Sequence, residues 1–197
     1  TRDWSSDVCS SDLNAPPSDH DDIFAQLAAA ADACGEAAMF ETLAASLQAH
    51  GRWHALFDLR LLEARIALGL PATGDLGDVS PENRDRLDDR SLAACREVGW
   101  PLLAEGQVAA AWMYLRAAAA PADVTEKLAR LAEEVMATPD HATDEAAVGR
   151  LQEIVHVALW EGIDPALGID LVIRTQGTCN AITAYEQAVS RLPARRQ

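Results

Sequence analysis

The GTCN stretch that ends at Asn180 is the place in the sequence where a nucleophile could be built. Glycine ends one helix there, so Cys179 falls in the first turn of the next helix, where exposed backbone N–H groups favour a thiolate. His156 could act as its general base and Glu186 could orient the histidine, which would give a small enzyme or redox protein. Capping of the last helix by Thr178 or Asn180 explains the same residues without chemistry. We predict no catalytic residue and keep this enzyme as the alternative function.

Histidine spacing offers a second candidate for chemistry. His50 and His54 are four residues apart, a spacing that puts two rings on one helix face and could hold a metal ion. Gly51 lies between them and is expected to end the helix, so we predict no metal site. The sequence contains no convincing cofactor motif, and we predict no cofactor. His141 lies in the TPDHATDE loop, where we expect it to be solvated.

Composition restricts the classes of partner. The 197 residues carry a formal net charge of −15, and such a field repels phosphate backbones and anionic membrane surfaces. No apolar run approaches the roughly 18 residues that a membrane span requires. Once Cys9 is excluded with the atypical first residues, Cys34, Cys95 and Cys179 remain. An odd number of cysteines without CxxC spacing is typical of reduced thiols inside a cell. We therefore expect a soluble, cytoplasmic protein that binds neither nucleic acid nor membranes.

The first residues differ in composition from the rest of the chain. Asp3 to Leu13, DWSSDVCSSDL, resembles the translation of a sequencing-adaptor oligonucleotide, a contaminant of genes from metagenome assemblies. We exclude residues 1–13 from the fold as a non-native artefact, and we expect the natural N-terminus, with any signal peptide, to be missing. The single lysine and abundant alanine are typical of a GC-rich bacterial genome. Residues 14–197 are predicted to form one helical-repeat domain, which a contig edge could also cut short at its C-terminus.

The periodicity of apolar residues predicts an all-α fold. Apolar side chains recur at i, i+3, i+4 and i+7 along about nine segments, and no segment shows the two-residue period of a strand. Glycine or proline ends most of these segments. Ser80-Pro81 and Asp164-Pro165 are typical helix starts, because proline suits the first helical position.

Three local features refine this prediction. Residues 70–80 contain several helix breakers and no period, so they form a loop and the best internal boundary of the domain. Pro101 lies inside a predicted helix and is expected to kink it. The last helix is expected to bury the stripe formed by Ile182, Tyr185 and Val189.

A predicted helical hairpin between Cys95 and Ala118 organises the chain. One apolar helix ends at Gly106, and a second follows with one apolar stripe, formed by Val108, Ala111, Trp112 and Leu115. The segment resembles a tetratricopeptide repeat, whose pattern of small, large and turn residues is matched at Gly99, Leu102, Gly106, Ala111 and Ala118. The sequence departs from this family at Cys95, where the repeat has an aromatic residue, and at Asp123, where it has proline.

Turn glycines indicate a repeat along the whole chain. Gly51, Gly106 and Gly162 are 55 and 56 residues apart, and each stands between two amphipathic segments. A tetratricopeptide unit needs only about 34 residues, so this spacing predicts an extra helix or long loop in each unit. The resemblance implies a degenerate solenoid of antiparallel helical hairpins, with a concave face made by the first helix of each pair.

The resemblance also implies which residues would line that face. It assigns Arg96 and Trp100 to the central unit, and Gln152, His156 and Trp160 to the following unit. Arginine and tryptophan dominate binding hot spots because they combine large area with hydrogen bonding. We therefore predict a protein-interaction module that binds a peptide or helix of a partner protein in the concave groove. In the alternative interpretation both tryptophans pack in the core and satisfy their N–H groups locally.

Overall fold

The computed structural model describes residues 19–77 and 79–189, and every regular element within them is helical. This confirms the predicted all-α fold of about nine helices; the segment interpreted as an artefact, residues 3–13, lies outside the described residues. The helices are α1 (Asp19–Cys34), α2 (Glu36–Ala49), α3 (Trp53–Ala67), α4 (Pro81–Ala104), α5 (Val108–Ala118), α6 (Pro121–Met136), α7 (Glu145–Val155), α8 (Pro165–Gln176) and α9 (Thr178–Val189), with a π-helical turn, His156–Trp160, after α7.

The chain divides into two compact units, Thr1–Arg52 and Trp53–Gln197. The loop predicted near residues 70–80 lies within the second unit. Arg65 of α3 holds this loop, because its guanidinium donates to two backbone carbonyls of the loop at 3.1 and 3.0 Å. The loop is therefore anchored to the helix that precedes it.

The first unit contains α1 and α2, which contact each other. Gly35 separates them with a φ of 84°, a backbone conformation that glycine adopts without the steric cost other residues incur. Phe40 and Ala44 of α2 are buried. Cys34, the last residue of α1, is exposed.

In the second unit, polar contacts fix α4 against α3. Arg60 of α3 donates to the carboxylate of Glu97 on α4, with Nε 3.0 Å from Oε2. The side chain of Ser80 accepts a backbone N–H at the start of α4, as predicted for the residue before Pro81. Helix α4 continues through Pro101 to its end, so proline does not terminate it.

The hairpin of α4 and α5 supplies much of the core of the second unit. A Cβ on Gly99 would lie 2.6 Å from Cγ of Leu115, so the two helices approach this closely because residue 99 has no side chain. Gly106 forms the predicted turn with a φ of 78°. The buried apolar side chains of the hairpin include Val98, Leu102, Leu103, Val108, Ala111 and Leu115.

Helix α7 contacts the turn of this hairpin through two side chains. The Oε2 atom of Glu153 accepts a hydrogen bond from the backbone N–H of Ala109 at 2.9 Å, in the first turn of α5. A carboxylate there satisfies an N–H that the helix itself leaves unpaired and lies at the positive end of its dipole. Arg150 covers Gly106, where an added Cβ would lie 2.8 Å from its Nε. Two charged groups thus join α7 to the central hairpin.

A π-helical turn, His156–Trp160, follows α7. The next helix packs tightly on it, since a Cβ on Gly168 of α8 would lie 2.9 Å from the backbone nitrogen of Leu159. Asp164 caps α8 as predicted, with its Oδ1 accepting the N–H of Leu167 at 3.0 Å. Gly162 precedes this cap with a φ of 73°.

The prediction that Ile182 and Tyr185 lie on a buried face of α9 is wrong. Ile182 and Tyr185 are 56% and 54% exposed, whereas Ala181 and Ala188 are buried. Helices α8 and α9 contact each other, and small side chains face the interior there. Ile182 and Tyr185 are therefore left on the surface, and the side chain of Val189 lies outside the part of the chain that the structure describes.

Replacement of Gly99 by alanine is expected to lower the free energy of unfolding by about 1–3 kcal/mol, because the added methyl group overlaps the fully buried Leu115. Urea denaturation followed by circular dichroism measures the change. Gly149→Ala is the matched control, since an added Cβ there meets nothing within 4 Å. This control should stabilise α7 by about 0.5–1 kcal/mol through helix propensity alone. Equal effects of the two substitutions would contradict the close packing of α4 and α5.

Candidate binding cleft

A cleft between α4 and α6 contains Trp100, one of the residues predicted to bind a partner. Its volume is about 580 Å³, within the usual range of ligand sites, and Trp100 is partly buried in its wall. Its lining side chains come from the end of α4 and the middle of α6: Trp100, Leu103, Ala104, Lys127, Arg130, Leu131 and Glu134. The cleft therefore combines an indole and two leucines with charged groups on one wall.

Arg96 lies one helical turn before Trp100 and contacts the chain itself. Its Nη1 donates to the backbone carbonyl of Ala118 at 3.0 Å, at the C-terminal end of α5. A cation there pairs with a carbonyl that the helix leaves unsatisfied and lies at the negative end of the helix dipole. Because α6 begins at Pro121, this bond fixes the chain immediately before the second wall of the cleft.

Charge is unevenly distributed along the α6 wall. Arg130 forms an exposed ion pair with Glu126, with Nη2 3.0 Å from Oε1. Lys127, the only lysine of the sequence, is exposed and lines the cleft nearer the N-terminal end of α6. Glu134 lines it two helical turns further along. The cationic groups thus precede the anionic one along the wall.

Gln152 lines a different cleft. This second cleft has a volume of about 350 Å³ and lies between α7, α8 and the loop that contains His141. Arg174 on its rim pairs with Glu133 of α6 and, at 3.4 Å, with Asp170 of α8. No lining residue is shared with the α4–α6 cleft, so the structure does not bring Gln152 and Trp100 into one cleft.

His156 and Trp160 lie on the π-helical turn. His156 is exposed, and its Nε2 lies 3.7 Å from Oε1 of Glu161. Trp160 is partly buried. Neither residue is among those that line the two clefts. Single π turns are frequent at functional sites. The residues predicted to line one groove, Trp100, Gln152, His156 and Trp160, therefore do not share one cleft.

The residues of the alternative enzyme lie on two elements, His156 on the π-helical turn and Cys179 and Glu186 on α9. Cys179 is exposed in the first turn of α9, and no hydrogen bond in the described part of the chain joins it or Glu186 to His156. Asn180 does not cap α9; its Nδ2 donates to the carbonyl of Gln176 at 3.0 Å and so ties α9 to α8. No group of three or more His, Cys, Asp or Glu among the described residues could hold a metal ion.

An aromatic cluster joins α3 to α5 and was not predicted from the sequence. The ring of Tyr114 lies 5.0 Å from Phe57, and its hydroxyl is 2.6 Å from Nδ1 of His54. Burial raises the pKa of Tyr114, and the nearby Asp58 and Cys95 raise it further. The rings of the cluster come from two helices, α3 and α5, so no spacing within one helix could indicate it.

An apolar groove separates α8 from α9. Its volume is about 450 Å³, and its walls include Leu159 of the π turn, Ile169 and Ile173 of α8 and Tyr185 of α9. Ile173 and Tyr185 are largely exposed. Tyr185, one of the two outward apolar side chains of α9, therefore lies on this groove.

No family model, curated protein or solved structure matches this chain. Over the ranges that the structure describes, no helix is both long and apolar enough to cross a membrane. The function is therefore inferred from the geometry and charge of the chain itself.

Cys95 is expected to react several-fold more slowly with iodoacetamide than the exposed Cys34 and Cys179 at neutral pH. Burial raises the pKa of the Cys95 thiol, which the nearby Arg96 only partly offsets, so less thiolate is present. Peptide mass spectrometry after timed alkylation measures the rates, and the urea-unfolded chain serves as the control. Equal alkylation rates of the three cysteines in the folded chain would contradict the burial of Cys95. Alkylation of Cys179 far faster than that of a free cysteine would support the alternative enzyme.

Glu133→Gln is expected to lower the urea midpoint slightly at neutral pH. A hydrogen bond from Arg174 and its positive charge hold the pKa of Glu133 below its ordinary value of 4.5. The carboxylate therefore stabilises the folded chain at pH values above 4.5. This contribution is lost as pH falls through the lowered pKa, where variant and wild type should converge, and salt should reduce it at neutral pH. Glu186→Gln, on an exposed position of α9, controls for the change in net charge. If the urea midpoints of variant and wild type still differ at a pH below the lowered pKa of Glu133, the stabilising role of its pair with Arg174 is contradicted.

Proposed function

We propose that this chain is a protein-interaction module, built of helical hairpins like those of a tetratricopeptide array, that binds a peptide or helix of a partner protein in the α4–α6 cleft. The observation that carries the proposal is the position of Trp100 in that cleft beside Leu103 and Leu131. A partly buried indole beside aliphatic side chains offers a large apolar area with a hydrogen-bond donor, the combination typical of hot spots.

The place of the cleft in the chain supports the same proposal. Helices α4 and α6 are each followed by a partner, α5 and α7, with which they are in contact. In a tetratricopeptide array the first helices of successive pairs line the binding groove, and α4 and α6 occupy these places in chain order. The groove-lining residues assigned to the following unit then belong on α6, one helix earlier than the sequence prediction of Gln152, His156 and Trp160.

Two residues have distinct roles in this proposal. Trp100 contacts the partner, whereas Arg96 acts as a positioning residue through its bond to the carbonyl of Ala118. Groups that hold the walls of a site set the geometry that the contacting side chains need. Truncation of Arg96 should therefore weaken binding by shifting α6, without a direct contact being lost.

Selection from a random peptide display library, followed by fluorescence anisotropy with the selected peptides, tests the proposal. Trp100→Ala should weaken their affinity by more than about 30-fold, since truncation of a hot-spot residue costs about 2 kcal/mol or more. Met113→Ala is the matched control, because Met113 is apolar and 66% exposed on α5, away from the cleft lining. It should leave the affinity unchanged.

A second variant keeps the test decisive if Trp100→Ala perturbs the fold. Ala104→Gln puts a larger neutral side chain into the cleft from an exposed position at the end of α4. It should weaken peptide binding while the helical circular dichroism is retained. If no selected peptide is sensitive to either Trp100→Ala or Ala104→Gln, the proposed function is wrong.

A further inference from the structure

The α6 wall of the cleft presents its charges on one helix face. Lys127, Arg130, Leu131 and Glu134 stand at i, i+3, i+4 and i+7, so their side chains follow one another along the cleft. Both cationic groups are exposed, and Lys127 is the only lysine in a chain whose net charge is −15. The two cationic groups in this cleft are therefore opposite in sign to the net charge of the chain.

The order of the charges makes the two ends of the cleft electrostatically different. Glu126 partly neutralises Arg130, which leaves Lys127 as the cation at the N-terminal end of the lined wall. Glu134 lies at the opposite end, towards the C-terminus of α6. A bound carboxylate is therefore favoured beside Lys127 and disfavoured beside Glu134.

The negative field of the whole chain does not cancel this preference. At physiological ionic strength the Debye length is about 8 Å, so distant carboxylates are screened while a contact with Lys127 is not. The same field repels a strongly acidic partner as a whole. One carboxylate at the right place is thus better suited to the cleft than a run of them.

Building on the proposed function, we infer that the α4–α6 cleft recognises a mainly apolar partner segment with one carboxylate side chain next to its apolar anchors. The carboxylate pairs with Lys127, and the anchors pack on Trp100, Leu103 and Leu131. The apolar contacts supply most of the affinity, and the ion pair fixes the orientation of the segment in the cleft.

The single lysine of the sequence permits a direct test by crosslinking. The selected peptides are synthesised without lysine, acetylated at the N-terminus and amidated at the C-terminus. A carbodiimide activates the peptide carboxylate, and the Lys127 amine displaces the activating group as a urea to form an amide. Tandem mass spectrometry should locate the crosslink at Lys127 in wild type. Lys127→Arg keeps the charge, so it should retain affinity and lose this crosslink.

Affinity measurements complete the test. The selected peptides should be enriched in Asp or Glu near apolar residues. Lys127→Gln should lower the affinity for these peptides about two- to fivefold at low salt, the range for exposed ion pairs. Arg116→Gln makes the same change in net charge at an exposed position of α5 and should have no effect. The peptide in which glutamine replaces the carboxylate residue should bind wild type and Lys127→Gln equally.

The outcomes separate this inference from the proposed function. Peptides that depend on Trp100, but show no acidic enrichment, no crosslink at Lys127 and no response to Lys127→Gln, would overturn the inference and leave the proposed function standing. Peptides that respond to Lys127 and not to Trp100→Ala or Ala104→Gln would overturn both, because binding would then be a surface charge effect outside the cleft.

Discussion

The approach of α4 to α5 at Gly99 and Leu115 is the constraint on which the second unit depends. With no side chain at residue 99, the isobutyl group of Leu115 fills the space that a Cβ would need. The turn at Gly106 then returns the chain so that the apolar stripes of the two helices bury each other. Hydrophobic burial of these stripes drives the pairing, and the missing Cβ sets its distance.

Polar contacts at the two ends of α5 attach α7 to this pair and fix the chain that leads into α6. Glu153 of α7 satisfies an N–H at the start of α5, and Arg96 of α4 satisfies a carbonyl at its end. Each bond pairs a full charge with the complementary end of the dipole of α5. The bond from Arg96 has a further consequence, because it fixes the residues that lead into α6 and therefore the second wall of the cleft.

The candidate site could be predicted in part. Trp100 was identified through a resemblance on α4 alone, and it lies in the cleft wall. The α6 wall was not predicted, because the residues assigned to the following unit were counted from the turn at Gly162 and therefore fall on α7 and the π turn. The charged face of α6, including Lys127, is a regular helical pattern that could have been recognised, but its spacing is also that of any solvated helix face.

The sequence by itself determined the local structure: where helices begin and end, which turns need glycine, and that no strand forms among the described residues. These features depend on interactions within a few residues, such as the capping of α8 by Asp164 or the positive φ of Gly106. Tertiary structure alone decided that α9 turns Tyr185 outwards, that a π turn replaces the end of α7, and that α6 faces Trp100. The reason is that a periodic stripe shows that a helix has an apolar face, whereas the neighbour that covers this face is chosen by packing between residues far apart in the chain.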